Sequence, residues 1–247
     1  MVIRSISQKL KSNIIRKVIK KVFNFYTSRI TIYPELLKIL KTDKILILAP
    51  HADDESIGCG GLLLKYASQC EVLCLTDGRN GDIAIESNLM IDIRKKEFES
   101  VMVKLKVKAF RLLGIEDTKL ENNYNIFKNI EFENYDYICI PNNLDQHPDH
   151  KAVAKHIQKA FLENKISNRV HIIMYEVWNA LPLPNFYTDI SYITEEKKEL
   201  INMYHSQIKH IDYAEKILSL NQYRGMIAGK NSIEAYFILD IKSFSSI

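Results

Sequence analysis

Apolar runs recur along the chain from residue 45 onward, each closed by polar or glycine-containing turns. Ile45-Leu46-Ile47-Leu48, Val72-Leu73-Cys74-Leu75 and Tyr137-Ile138-Cys139-Ile140 are short and continuous, the pattern left by strands buried on both faces. The spacing predicts strands near 44–49, 71–76, 108–113, 136–141 and 170–176. Between them it predicts helices near 60–68, 87–106 and 149–163. Alternation of this kind argues for an α/β fold, with a Rossmann-like, mostly parallel sheet and helices on both faces. Residues 178–190 contain Pro182 and Pro184 and read as a loop. Residues 194–222 read as helical, with Glu195 and Glu196 suited to the first turn. Gly58, Gly60 and Gly61 do not make a dinucleotide-binding pattern; they read as a tight passage from strand to helix.

The first thirty residues have a different pattern. Ile3, Ile6, Leu10, Ile14, Val18 and Val22 fall at helical spacing, and an amphipathic helix follows. The same stretch holds eight Lys and Arg and no acid. Net charge is +4 for the whole chain, so the remainder stands at −4. The basic balance is local. Such a helix either lies on an anionic membrane surface or packs on its own domain or a partner chain. Nucleic-acid binding is not expected, since the stripe carries little readout chemistry. The division is thus 1–42, a basic amphipathic segment, and 43–247, a single domain. A homo-oligomer is compatible with either use of the helix.

A hydrophobic share of 47% and a charged share of 26% are ordinary for a globular protein with a normal core. The four cysteines show neither C-x-x-C spacing nor scaffold density and read as reduced thiols. No stretch has the length and hydropathy of a membrane span, and basic residues interrupt any signal-like core. The expected location is cytoplasmic, with peripheral contact at the inner membrane face if the helix binds lipid.

Two clusters carry chemistry. His51-Ala52-Asp53-Asp54-Glu55 follows the first apolar run, and Asp145-Gln146-His147-Pro148-Asp149-His150 follows the run ending at Ile140. Either alone reads equally well as an acidic helix start. Together, each at a strand tip, they supply what a mononuclear metal site needs, because ligands in open α/β sheets collect at the carboxyl ends of strands.

The pair resembles the signature of the PIG-L/LmbE-like N-acetylglucosaminyl deacetylases, whose motifs are usually His-Pro-Asp-Asp-Glu and His-Pro-Asp-His. Ser56-Ile57-Gly58-Cys59-Gly60-Gly61, Leu75-Thr76-Asp77-Gly78, Arg94-Lys95-Lys96-Glu97 and Leu113-Gly114-Ile115-Glu116-Asp117 extend the resemblance. Tyr175-Glu176-Val177-Trp178 and Tyr223-Arg224-Gly225 are similar to motifs of members acting on sugars. The likeness spans about residues 43 to 240. Ala52 departs from the usual Pro, which touches loop rigidity and not the chemistry.

The resemblance implies a hydrolase that removes the acetyl group from an N-acetylated amino sugar through a metal-activated water. It implies His51, Asp54 and His150 as metal ligands, Asp53 as general base, and His147 as the group that stabilises the oxyanion and protonates the amine. Zn²⁺ is the expected metal, and two His with one Asp also suit Fe²⁺. Asp149 reads either as orienting His147 or a ligand or as a helix N-terminal acid. Arg94 reads as a substrate contact or as a salt-bridge partner of Glu97 or Asp77. Asp117 reads as a partner for a sugar hydroxyl or as a turn residue. Trp178, the only tryptophan, reads as a sugar-stacking or a packed ring. Two rival functions are a metal-dependent phosphoesterase and a non-catalytic sugar-binding protein. A phosphoesterase wants more ligands for a second ion, and a binder has no need of a base beside the ligands.

Overall fold

Strand β2 (Ile45–Ala49) anchors the sheet. Each of its five residues is fully buried. Successive side chains of a strand point to opposite faces, so both faces of the sheet are covered here. The structure, a computed structural model, describes residues 33–209 and 211–247. The amphipathic helix expected within residues 1–42 lies largely outside the described residues.

Among the described residues eight strands form one sheet in the order β1-β7-β8-β6-β5-β2-β3-β4. They are β1 (Glu35–Leu36), β2, β3 (Cys70–Thr76), β4 (Ala109–Ile115), β5 (Tyr137–Pro141), β6 (His171–Tyr175), β7 (Phe186–Asp189) and β8 (Ile233–Asp240). β2 pairs in parallel with β3 and β5, β3 with β4, β5 with β6, and β1 with β7. Only β8 runs antiparallel to its neighbours β6 and β7. The helices are α1 (Asp54–Tyr66), α2 (Ser87–Leu105), α3 (Tyr124–Phe127), α4 (Pro148–Leu162), α5 (Thr194–Asn202), α6 (Tyr213–Ala228) and α7 (Ile241–Phe244). Pro34 to Ile247 form one compact unit, so the sheet domain reaches upstream of residue 43 through β1. Among the described residues no helix is long and apolar enough to cross a membrane.

The parallel core follows the expected strands within one or two residues. Elsewhere tertiary packing overrides the local reading. α1 begins at Asp54, so the three motif glycines lie inside the helix and not in a turn before it. They serve close packing: a Cβ on Gly58 would come within 2.1 Å of the Tyr175 ring, and one on Gly61 within 2.2 Å of Ile190. The helix is kinked at Cys59 (φ −129°, ψ 15°), which frees the amides of Gly61 and Leu62. Both donate to the buried Glu234 carboxylate, at 2.6 and 3.0 Å. The Lys197 ammonium offsets that charge at 2.7 Å. The region expected as a loop at 178–190 contains β7, and the helix expected over 194–222 is two helices separated by residues 203–212. Asp212 caps the second of them by accepting from Glu215 N at 2.8 Å. All four cysteines are buried and free.

Tyr175 is fully buried and donates its hydroxyl hydrogen to Leu48 O at 2.8 Å. It has no room to move aside. Gly58→Ala is therefore expected to cost about 1–3 kcal/mol, a drop in Tm of roughly 2–10 °C for a domain this size. Thermal and urea unfolding check this; an unchanged midpoint would show that the helix shifts freely on the sheet.

Candidate active site

The site is built at the carboxyl end of the parallel strands. Pro50 O, just past β2, accepts from Thr76 N at 3.0 Å and from Thr76 Oγ1 at 2.8 Å, which ties the end of β2 to the end of β3. The chain then turns through His51 and Asp53 into α1. Asp54 Oδ2 accepts from His51 N at 2.8 Å and closes that turn.

The same Asp54 Oδ2 lies 3.2 Å from His51 Nδ1 and 3.2 Å from His150 Nε2. His150 comes from the first turn of α4, beyond the end of β5. Two donors on a tetrahedral ion with bonds of about 2.0–2.1 Å lie about 3.3–3.4 Å apart, so the spacing of Asp54 from each imidazole is that of two donors on one cation. Both ring nitrogens of His150 are buried and make no hydrogen bond, although Asp54 lies close to Nε2 and Asp145 close to Nδ1. A buried polar nitrogen left in this way is costly, and a cation between His150 Nε2 and Asp54 satisfies both. The donor set suits a metal. His147 also brings a ring nitrogen within 4.8 Å of those of His51 and His150.

Carboxylates behind the imidazoles fix their orientation. Asp145 Oδ2 lies 3.1 Å from His150 Nδ1. Asp117 Oδ1 and Asp149 Oδ2 lie 3.2 and 3.3 Å from His51 Nε2. At His51 these contacts keep a proton on Nε2 and leave Nδ1 for a ligand's role. Asp149 also accepts from Thr118 N at 2.8 Å and Leu120 N at 3.1 Å. Burial alone would push the imidazole of His150 down, but Asp54 and Asp145 outweigh it and lift its pKa to about 9. Burial would raise Asp54, yet the two imidazoles hold its carboxyl well below the usual range.

Asp53 occupies a strained backbone position, φ 141° and ψ −27°, rare for any residue with a side chain. Its N–H donates to Glu55 Oε2 at 3.1 Å. Its carboxylate meets the Arg94 guanidinium in two bonds of 3.3 Å each. Glu55 is buried and also accepts from Ser56 Oγ at 2.6 Å and from the Tyr204 hydroxyl. Burial pushes its pKa up to about 7. Burial likewise raises Asp53, against the pull of Arg94.

His147 caps α4, its Nδ1 accepting from Asp149 N at 3.3 Å. In the neutral ring the proton then sits on Nε2. The ring packs edge-on to His51 with centroids 4.6 Å apart. Burial, with His51 and His150 close by, lowers its pKa.

These groups line a cavity of about 260 Å³. His51, Asp53, Asp54 and His147 all reach it, as do Arg94, Asp117 and Trp178, while His150 and Asp149 are buried behind it. Three of the expected substrate contacts line the cavity and also have protein partners that the sequence left open. Arg94 pairs with Asp53, and neither Glu97, which holds Ser206, nor Asp77, which holds Arg79, engages it. Asp117 is turned inward to His51. Trp178 is 55% exposed on the rim and meets the Tyr213 ring edge-on at 5.7 Å. Sequence reasoning assigns no role to Asp145 or Glu55, although an acid inside a ligand motif is itself a signal. Tyr204 and Tyr213 had none, because nothing local marks a residue that reaches the site from a distant helix or loop.

Comparison with known proteins agrees with this geometry. Residues 46–161 match the PIG-L family, described as GlcNAc-PI de-N-acetylase. Among solved structures, the N,N'-diacetylchitobiose deacetylase from Pyrococcus horikoshii superposes with a TM-score of 0.69 at 24% identity, covering 81% of this chain and 85% of that one. A deacetylase of the teicoplanin biosynthesis pathway gives 0.63 at 16% identity, covering 79% and 98%. GalB, the 4-carboxy-2-hydroxymuconate hydratase from Pseudomonas putida KT2440, gives 0.59 at 17% identity, covering 79% and 95%. At these identities the structural likeness speaks for the architecture, which a hydratase shares, and the motif match speaks for the family. Residues 46–161 of this chain form a PIG-L family domain.

Proposed function

We propose that this protein is a metal-dependent deacetylase of an N-acetylated amino sugar. The observation that carries the reading is the Asp54 carboxylate held 3.2 Å from both His51 Nδ1 and His150 Nε2, with Asp53 next to it on the cavity wall. His51, Asp54 and His150 would hold the ion, Zn²⁺ by donor type, with Fe²⁺ also compatible. Bound there, the ion lowers the pKa of water and polarises the amide carbonyl.

The chain's own groups do the rest. Asp53 accepts a proton from the attacking water. Arg94 and the strained backbone keep its carboxylate aimed into the cavity. His147 donates Nε2–H to the oxygen on which negative charge develops. Water oxygen bonds to the acetyl carbon, the C–N bond breaks, and the nitrogen leaves with a proton as the amine while acetate is released. A second ion would have to draw on Asp117, His147 and Asp149 beside His51, where Asp149 already accepts from two backbone amides and His147 Nδ1 from Asp149 N. A sugar binder has no use for the strain at Asp53.

Purified protein is expected to hold about one ion per chain. His51→Ala and His150→Ala should lose it by elemental analysis, and a chelator should abolish acetate release until Zn²⁺ or Fe²⁺ is restored. Full occupancy in both variants would sink the ligand assignment.

Asp53→Asn and His147→Ala should keep the metal and lose about 10²–10⁴-fold in turnover. Loss of the ion from Asp53→Asn with retention in Asp54→Asn would show base and ligand to be exchanged.

The basic stripe of residues 1–30 supports peripheral membrane contact at the cytoplasmic face. Each Lys or Arg at an anionic surface is worth about 1 kcal/mol. The full chain should sediment with anionic but not neutral vesicles at low salt, and a chain starting at Pro34 should not. Equal behaviour of the two forms overturns the membrane role.

A further inference from the structure

Asp53 is held from two sides, and only one of them is its carboxylate. At φ 141° its peptide leaves the helical path. Its carbonyl accepts from Ser56 N and Ile57 N at 3.0 and 2.9 Å, which opens α1. Its N–H is met by a side chain and not by a carbonyl: it donates to Glu55 Oε2 at 3.1 Å. The turn is thus fixed on its carbonyl side by the helix and on its N–H side by one glutamate.

Glu55 is fully buried and does not border the cavity. Its Oε1 accepts from Ser56 Oγ at 2.6 Å and from the Tyr204 hydroxyl. A carboxylate buried this deeply is costly unless its oxygens are met, and these three donors meet them. Tyr204 is itself buried and belongs to the segment after α5. Two residues on, Ser206 donates from N and from Oγ to Glu97, each at 2.7 Å. Glu97 lies three positions along α2 from Arg94, on the same face, and Arg94 grips the Asp53 carboxylate. Helix α2 therefore reaches Asp53 twice. One path runs directly through Arg94 to the carboxylate; the other runs through Glu97, Ser206, Tyr204 and Glu55 to the peptide N–H.

We propose that Glu55, anchored by Tyr204, is a positioning residue for the general base. It holds the Asp53 peptide in its strained conformation, so that the consecutive carboxylates of Asp53 and Asp54 face one cavity. The proposal rests on the deacetylase reading above, in which Asp53 takes the proton of the attacking water. Glu55 touches no reacting atom and acts by accepting hydrogen bonds. Strain of this kind persists only where neighbouring groups over-determine it. Without the Glu55 acceptor the Asp53 N–H loses its partner, the peptide relaxes, and the base spends less of its time aimed at the water.

The test measures acetate release from diacetylchitobiose and from methyl N-acetylglucosaminide by the metal-loaded full chain, with elemental analysis of every variant. Glu55→Met fills the space without an acceptor. It should keep the ion and its KM and lose about 5–100-fold in kcat, the relaxation of one strained residue expressed as rate. Tyr204→Phe, which deletes the anchoring hydroxyl alone, should lose kcat in the same direction. Glu55→Gln should stay within about twofold of the parent, because its amide oxygen accepts from Asp53 N–H while its NH₂ donates to the Tyr204 and Ser56 oxygens. Glu55→Met added to Asp53→Asn should cost no further rate, since no base is left to aim. An equal cost in both backgrounds overturns the proposal, because the glutamate then supports the fold and not the base. A Glu55→Gln loss as deep as that of Glu55→Met overturns it, because the group then transfers a proton. Loss of the ion from Glu55→Met overturns it, because the carboxylate then serves the metal ligands. An unchanged kcat in Glu55→Met or in Tyr204→Phe overturns it, and Tyr204→Phe decides the matter if Glu55→Met does not fold. No release from either compound by the parent chain overturns the deacetylase reading, and this inference with it.

Discussion

One carboxylate shared by two buried imidazoles sets the rest of this structure. Asp54 Oδ2 accepts the His51 amide and faces both His51 Nδ1 and His150 Nε2. Satisfying all three requires the ends of β2 and β5 to be adjacent, which the parallel pairing of those strands provides. It also constrains Asp53. Neighbouring helical residues point about 100° apart, and two consecutive carboxylates reach one cavity only if the backbone between them departs from helix. The φ of 141° at Asp53 is that departure. Glu55 and Arg94 over-determine it, the condition under which strain persists in a folded protein.

The orienting groups form a layer around this centre. Asp145 stands behind His150, Asp117 and Asp149 behind His51, and Tyr204 behind Glu55. They come from the ends of β4 and β5, from α4 and from the segment after α5. A second set of buried charges locks the far side of α1. Glu234 on β8 binds the amides freed at the kink and is offset by Lys197, and Arg224 of α6 engages Glu176 and Leu181 O. Buried ion pairs are favourable only when their remaining hydrogen-bonding capacity is met. Around Glu234 and Lys197 backbone amides, Asn221 and Tyr236 meet it, while Arg224 keeps one buried nitrogen without a partner. Glu234 and Lys197 thereby fix the part of α1 that follows the kink at Cys59.

Much of this was legible in sequence for a specific reason. Strands β2, β3 and β5 are buried on both faces and so appear as unbroken apolar runs, and the groups that follow them must lie at one sheet edge. His51, Asp53, Asp54, His147 and His150 are local to two such ends, and their convergence follows from the topology. β7 and β8 were harder. β7 is four residues long beside prolines, and β8 carries Glu234 in its interior, a charge that argues against a strand until Gly61 N, Leu62 N and Lys197 are seen around it. The break between α5 and α6 left no proline or glycine to mark it.

The sequence by itself determined the α/β class, the two reactive clusters and the family to which they point, because each depends on short-range order: burial pattern along a strand and spacing within a motif. Only the tertiary structure decided what each charged group faces. The sequence offered Arg94 the carboxylates of Glu97 and Asp77, and the fold gave it Asp53; Asp117, read as a sugar contact or a turn residue, is turned onto His51. An apolar groove beside Trp178 joins residues from α1, the loop after β6 and α6. Such pairings are set by long-range packing, in which residues scores of positions apart compete for the same space, and no local pattern records the outcome.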